Sequence, residues 1–366
     1  MMTTTQIHRE RHPDYVRAIL ERAMKLIDEN RLDSADVLLA TLLDDPQAEG
    51  PMAYLRGVIA ARKGQGDAAQ AFFKIAIEAD PRNADAHARL GLLLLEHRPV
   101  SAAAAFSAAL MLDQRYADWR VGLARAFASL GLYEFAKANV ADALSLAPDH
   151  SEASALAAFL DGATPVEISE LPEAEEAILH EALLMEASRR EVDGEPAKRI
   201  YEFILGRKPN ESRALCGLGA LERRLGDLSR SEQLLLSAID ADPQFTSAIL
   251  ALAETYLADD RRSEAHAQFE AAIALEPKSA AVHASYAMAL QKIGEAEKAI
   301  QHFFHAIGID QRQPAEFYVS LGEALMALKK YDRAEIAFEH AAALSPGVEG
   351  ARLGLAQCAL ALGRRR

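Results

Sequence analysis

Residues 243–277 read PQFTSAILALAETYLADDRRSEAHAQFEAAIALEP, and the proline that opens the stretch returns at its close, 34 residues later. A small residue, Ala253, comes early. Ala265, Phe269 and Ala272 stand twelve, eight and five residues before the closing Pro277. The same marks recur outward in both directions. Pro209 precedes Pro243 by 34 residues, Gln311 and Pro346 continue the series, and Pro46, Pro81, Gln114 and Pro148 carry it through the first half. Five residues before these reference positions stand Ala76, Ala109, Ala143, Ala238, Ala306 and Ala341. Twelve before them stand Ala69, Ala102, Ala136, Ala197, Ser231, Ala299 and Ala334, and eight before them Phe73, Phe106, Tyr201, Phe303 and Phe338. Gly57, Gly91, Ala124, Gly219, Ala287 and Gly322 repeat the early small residue. A fixed period of this length is the mark of a repeat architecture.

The pattern predicts two antiparallel helices per period and an all-α chain. Gly64, Gly131, Gly226 and Gly294 fall mid-period, where glycine can take the left-handed conformation that closes a first helix. Asp67, Asp227 and Glu295 follow, suited to opening the second helix by capping or by charge at its positive end. The proline then stops the second helix. Gly or Ala where helices cross lets the backbones approach, and the Phe or Tyr fills the space between neighbouring pairs.

These spacings and residue types resemble the tetratricopeptide repeat family, over roughly residues 15–363. The large aromatic usual early in the first helix is mostly absent; Trp119 and Tyr318 are the nearest substitutes. The resemblance implies an α-solenoid, a right-handed superhelix of stacked antiparallel helix pairs. The pairs are expected at 15–48, 49–83, 84–116, 117–150, 178–211, 212–245, 246–279, 280–314 and 315–348, with a last helix at 349–363 covering the bare face of the final pair. The first pair carries Ser34 and Ala35 where the small residue belongs and is the opposite cap.

The regularity fails once. Pro148 and Pro209 are 61 residues apart, seven short of two periods. A helix begins at 151–160, and residues 161–172 then bring a glycine and two prolines, which read as a linker. Glu173, Glu175 and Glu176 open the next helix. The expected organisation is a tail at 1–14, a first array at 15–161, a linker at 162–176 and a second array at 177–366. The break reads either as a kink in one superhelix or as a joint between two mobile arms.

Composition excludes several functions. Half the residues are apolar, which gives ample burial, and only 6% are aromatic. The formal charge of −14 repels phosphate backbones and anionic lipid. Cys216 and Cys358 form neither metal spacing nor a disulfide framework and fit a reducing compartment. The first residues hold no apolar run of a secretory signal, and no apolar stretch reaches the ~18 residues of a span. The chain is expected to be cytoplasmic. His302 and His305 lie three apart on a helix with no third ligand evident, so no metal is expected; His8, His12 and the tail Arg364–Arg366 read as solvated ends. No phosphate loop, serine elbow or Cys–His signature stands in the sequence. No catalytic residue and no cofactor are expected.

The family resemblance implies that first helices line a concave groove for peptides or helices. Carried over, it places Tyr54, Val58, Arg62, Ala88, Leu92, Leu95, Val121 and Arg125 along the first groove. The second would hold Cys216, Ala220, Arg223, Leu250, Glu254, Leu257, Ala284, Met288, Val319, Glu323 and Met326. The Lys and Asn pairs with which some members clamp a carboxylate terminus are absent. The lining is mostly apolar, which suits an amphipathic helix or an extended apolar segment of a protein partner, and Met288 and Met326 would make it adaptable. The alternative is that these side chains pack between pairs. The function read here is a protein-interaction scaffold. The alternatives are a targeting or regulatory subunit of a separately encoded transferase, and a scaffold that self-assembles.

Overall fold

The computed structural model describes residues 13–43, 45–163, 171–190 and 194–363. Among them are helices only, with no strand. The first pairs are α1 (Pro13–Asp28) with α2 (Leu32–Ala40), α3 (Glu49–Arg62) with α4 (Gly66–Ala79), α5 (Ala84–Leu94) with α6 (Pro99–Leu112), and α7 (Ala117–Ser129) with α8 (Tyr133–Leu146). Then come α9 (Ser151–Gly162), α10 (Glu173–Arg189) and α11 (Glu195–Arg207). The later pairs are α12 (Ser212–Leu225) with α13 (Leu228–Ala241), α14 (Thr246–Ala258) with α15 (Arg262–Leu275), α16 (Ala280–Lys292) with α17 (Ala296–Ile309), and α18 (Ala315–Ala327) with α19 (Tyr331–Leu344). The last helix, α20 (Glu349–Ala361), packs on both α18 and α19. The expected α-solenoid of helix pairs is what the chain forms. His8, His12 and Arg364–Arg366 lie outside the described residues.

The repeated aromatic explains the repeated small residues. Phe106 of α6 is fully buried. A Cβ on Gly91, in the same pair, would stand 3.0 Å from its ring, and one on Gly122, in the next first helix, would overlap it. Phe338 sits likewise between Gly322, where a Cβ would stand 2.6 Å from the ring, and Gly354 of α20. Each ring is thus gripped by two first helices and joins one pair to the next; burying it stabilises by about 1.5–3 kcal/mol. The sequence marked one jaw of this grip, Gly91 and Gly322. The other jaw, Gly122 and Gly354, also recurs at a fixed place, six residues into its helix.

The turns follow the predicted chemistry with two exceptions. Gly226 closes α12 at φ 91°, and Gly64, Gly131 and Gly294 are also left-handed. Asp227 accepts a hydrogen bond from the Arg230 N–H at 2.9 Å and caps α13. Asp67 instead lies inside the first turn of α4. Glu295 precedes α17 but makes no cap, and its carboxylate takes Lys298 at 2.7 Å and His266 at 3.1 Å. Gln114 and Gln311 stand where other turns have proline, and the turn is built as it is beside Pro81 and Pro243, where Asp80 and Asp242 accept from the N–H groups of Arg82 and Gln244. Asp113 and Asp310 accept the N–H groups of Arg115 and Arg312 two residues on, at 3.0 and 2.9 Å, and close the turn by side chain.

The described residues form two compact units that divide within α11, between Ile200 and Tyr201. Residues 164–170 of the expected linker lie outside the described residues. Beyond them, α10 packs against α6 and belongs to the first unit. The division therefore lies later than 162–176, because α10 buries Leu179, Ala182, Leu183 and Ala187 within the first unit. The reason is visible in α6. Its sequence, PVSAAAAFSAALML, carries no charge, and eight of its residues are buried where α4, α13 and α15 each bury three. A helix apolar all round needs cover on its outer side.

The seat of α10 is ionic as well as apolar. Glu186 is 1% exposed. It accepts from Asn139 Nδ2 at 2.9 Å, from Arg189 at 2.6 and 2.9 Å, and from Arg190 Nε. Arg190 and Arg120 both reach Asp142, at 2.6 and 2.9 Å. Burial alone would raise the Glu186 carboxyl, but the two guanidiniums overcome it and hold it below the ordinary range. Burial also depresses Arg120, aided by Arg189. The same two carboxylates, Glu186 and Asp142, outweigh burial at Arg190 and raise it.

Candidate binding groove

In the second unit the first helices α12, α14, α16, α18 and α20 touch side by side. α12, α14, α16 and α18 are each also packed on their own second helix, and α20 on α19, so the row forms one continuous face. Three neighbouring pairs of first helices put side chains at the same register, twelve residues into one helix and nine into the next. Between α12 and α14 these are Arg223 and Glu254, joined at 2.6 Å. Between α16 and α18 they are Gln291 and Glu323, joined at 2.9 Å. Between α14 and α16 they are Leu257 and Met288. An apolar rung thus lies between two polar ones.

Leu250, Leu257, Met288, Val319 and Met326 are all half-buried and pack against one hydrophobic core, with Phe269, Phe303, Phe317 and Phe338 at its centre. The structure brings these five expected groove residues against one core. Ala284 is buried in that core. Cys216 and Ala220 are half-buried on α12. Met326 also meets Cys358, whose Sγ lies 3.3 Å from its Sδ, and burial pushes the Cys358 thiol up.

The first unit is different. Val58, Ala88, Leu95 and Val121 are buried, and of the expected apolar residues only Leu92 is openly exposed. Tyr54 packs near Phe73 and accepts a hydrogen bond from Arg89 Nε at 3.0 Å. Arg62 donates to the Ile27 carbonyl and lies 3.8 Å from Asp28. Arg125 pairs with Glu152 at 2.9 Å. The charged side chains expected to meet a partner are thus already engaged across neighbouring helices.

His302 and His305 have a third neighbour that the sequence did not supply. His283 of α16 stands with its Nδ1 3.1 Å from that of His302, and its ring centroid is 5.4 Å from each of theirs. Burial and the two neighbouring imidazoles lower His302 to about 4. Among the described residues no group of three or more His, Cys, Asp or Glu could hold a metal ion. None of the described helices is long and apolar enough to cross a membrane.

Rows of helix pairs bearing a shared, partly apolar face define a helical-repeat scaffold. The chain belongs to the tetratricopeptide repeat family. Models of that repeat match residues 54–114, 195–244, 250–314 and 315–348, together more than half of the chain. Among solved structures it is similar to TTC0263, a thermophilic tetratricopeptide protein of Thermus thermophilus. That match has 18% identity, spans 50% of this chain and 99% of that one, and has a TM-score of 0.44. It is also similar to the APC/C hetero-tetramer Cut9–Hcn1, at 16% identity, 94% and 77% coverage and a TM-score of 0.44. Yeast Tom70 matches at 14% identity, 96% and 89% coverage and a TM-score of 0.42. No curated protein matches the sequence.

Proposed function

We propose that the second unit captures an apolar or amphipathic segment of a partner protein on its row of first helices, centred on Leu257 and Met288. One observation carries this reading: the apolar rung those residues form is bounded by the Arg223–Glu254 and Gln291–Glu323 rungs. Arg223 and Glu254 offset each other's charge and Gln291 holds the Glu323 carboxylate by a hydrogen bond, so the uncharged rung between them is where desolvation rewards contact most. Half-buried Met288 and Met326 can repack against different side chains. The chain then acts by binding alone, and any chemistry belongs to the protein it holds.

The test is a double substitution. Leu257→Glu with Met288→Glu abolishes capture of partners identified by affinity purification and mass spectrometry, while the helical melting curve keeps its shape. Undiminished capture by the folded double variant ends the reading.

A further inference from the structure

The outer row of second helices offers a separate surface. Eleven, seven and four residues before each reference position, a second helix turns side chains outward. In α6 these are Ala103, Ser107 and Leu110, all buried, and α10 packs on this helix. The middle position is exposed in α4, α8, α13, α15, α17 and α19. Most of those helices also charge the stripe: Lys74 in α4, Lys137 in α8, Glu232 in α13, Glu270 in α15, and Glu335 and Glu339 in α19. The exception is α17. It carries Ile300, Phe304 and Ile307, of which Ile300 is buried in the core, Ile307 is half-buried and Phe304 is 50% exposed. The stripe of α17 is thus as free of charge as that of α6, and among the described residues no further helix packs upon it as α10 packs upon α6.

The stripe borders a groove of about 480 Å³ between α17 and α19, floored by Leu325 of α18. Ile336, 65% exposed, forms the facing wall. The corresponding groove between α4 and α6, about 410 Å³, is lined at the same register and receives Ile178 of α10. The α17–α19 groove is lined by Arg333 and His340 and by no carboxylate. The helix seated on α6 is acidic outside its apolar stripe, through Glu173, Glu175, Glu176 and Glu181.

We propose that the α17–α19 groove docks an amphipathic helix of a partner protein whose apolar stripe is flanked by acidic side chains, in the manner of α10 on α6. The large side chains of α17, Phe304 and Ile307, call for small ones on the visitor. Arg333 attracts the acidic flank.

The probe is a fluorescent helical peptide of about 17 residues, with Ala and Leu along one stripe and Glu beside it, titrated into the full chain. Binding saturates. It weakens about tenfold or more in Phe304→Asp and in Ile336→Asp, both exposed positions whose variants keep the parent melting curve. It weakens several-fold when Lys replaces Glu in the peptide, and is unchanged by Leu257→Glu with Met288→Glu, which separates this surface from the inner row. Absence of saturable binding, equal binding of the Lys peptide, or full affinity in both Asp variants overturns the proposal. So does a dimer in light scattering that Ile336→Asp splits, since a second copy would then hold this face.

Discussion

Helices α6 and α15 hold the same place in their pairs and are built in opposite ways. Both bury residues twelve, eight and five before the reference position: Ala102, Phe106 and Ala109 in one, Ala265, Phe269 and Ala272 in the other. There the likeness stops. Among its exposed residues α15 carries Arg262, Glu264 and Glu270, whereas α6 carries no charge at all and lies under α10. The three shared positions are therefore set by pairing, and the rest of the helix records what covers it: water for α15, protein for α6.

The sharpest way to break the comparison is to remove the charge buried with α10. Glu186→Ala leaves Arg189 and Arg190 without their principal carboxylate in a closed site. The expected loss is about 3–5 kcal/mol in urea unfolding, with faster hydrogen exchange in α10. A variant that loses less than about 1 kcal/mol would mean that apolar packing alone seats α10.

What the sequence disclosed divides along the same line. The helix pairs, their turns and the terminal helix were legible, because Phe269 or Phe338 needs a glycine or alanine opposite it wherever the period brings them together. The place of α10 was not read, although α6 announced it: a second helix without one charged residue cannot face water on its outer side. The network of Glu186, Asn139 and Asp142 had no signal of its own, since partners 47 and 48 residues apart meet only after the chain folds back. His283 was missed for the same reason; it lies 19 residues from His302, on the partner helix. Of the expected groove, the apolar half in the second unit converges on one core. In the first unit the same register is sealed, because Val58, Leu95 and Val121 turn inward to pack between helices.

A smaller effect tests what the two regions share. Gly122→Val sets a side chain against Phe106, and Gly354→Val sets one against Phe338. Each is expected to cost about 1–3 kcal/mol through overpacking, measured by denaturant midpoint. Equal losses in the two units confirm that the aromatic grip is a property of the repeat; a loss confined to one would tie it to local surroundings.

Acid separates the regions by another route. His302 titrates at about 4 in the folded chain, against an ordinary value of 6.5. Between those values the unfolded chain binds more protons, so stability is full above pH 6.5 and falls as pH drops towards 4. The groups facing it are His283 and Tyr286 on α16 and His305 on α17, and Tyr286 in turn meets His266 and the field of Glu270 and Glu295. Glu186 is held below its ordinary 4.5, so its contribution is present above that value and is lost only further into the acid range. The melting temperature of the second unit should therefore drop first, and His302→Asn should remove the loss between pH 6.5 and 4. A melting temperature flat across that interval in the parent chain refutes the assignment.

The least costly change is Glu254→Ala, which takes a carboxylate from Arg223 as Glu186→Ala takes one from two arginines. The ionic contact is as short, 2.6 Å, but the Glu254 side chain is 44% exposed and Arg223 25%. Water solvates both ions when the pair is broken, so the expected loss is below about 1 kcal/mol and shrinks further with added salt. The two substitutions delete the same carboxylate chemistry and differ in its burial and in the number of partners it holds. A loss at Glu254 as large as that at Glu186 would show that the first-helix row is locked by its polar rungs, and a row locked in that way could not open its apolar rung to a partner.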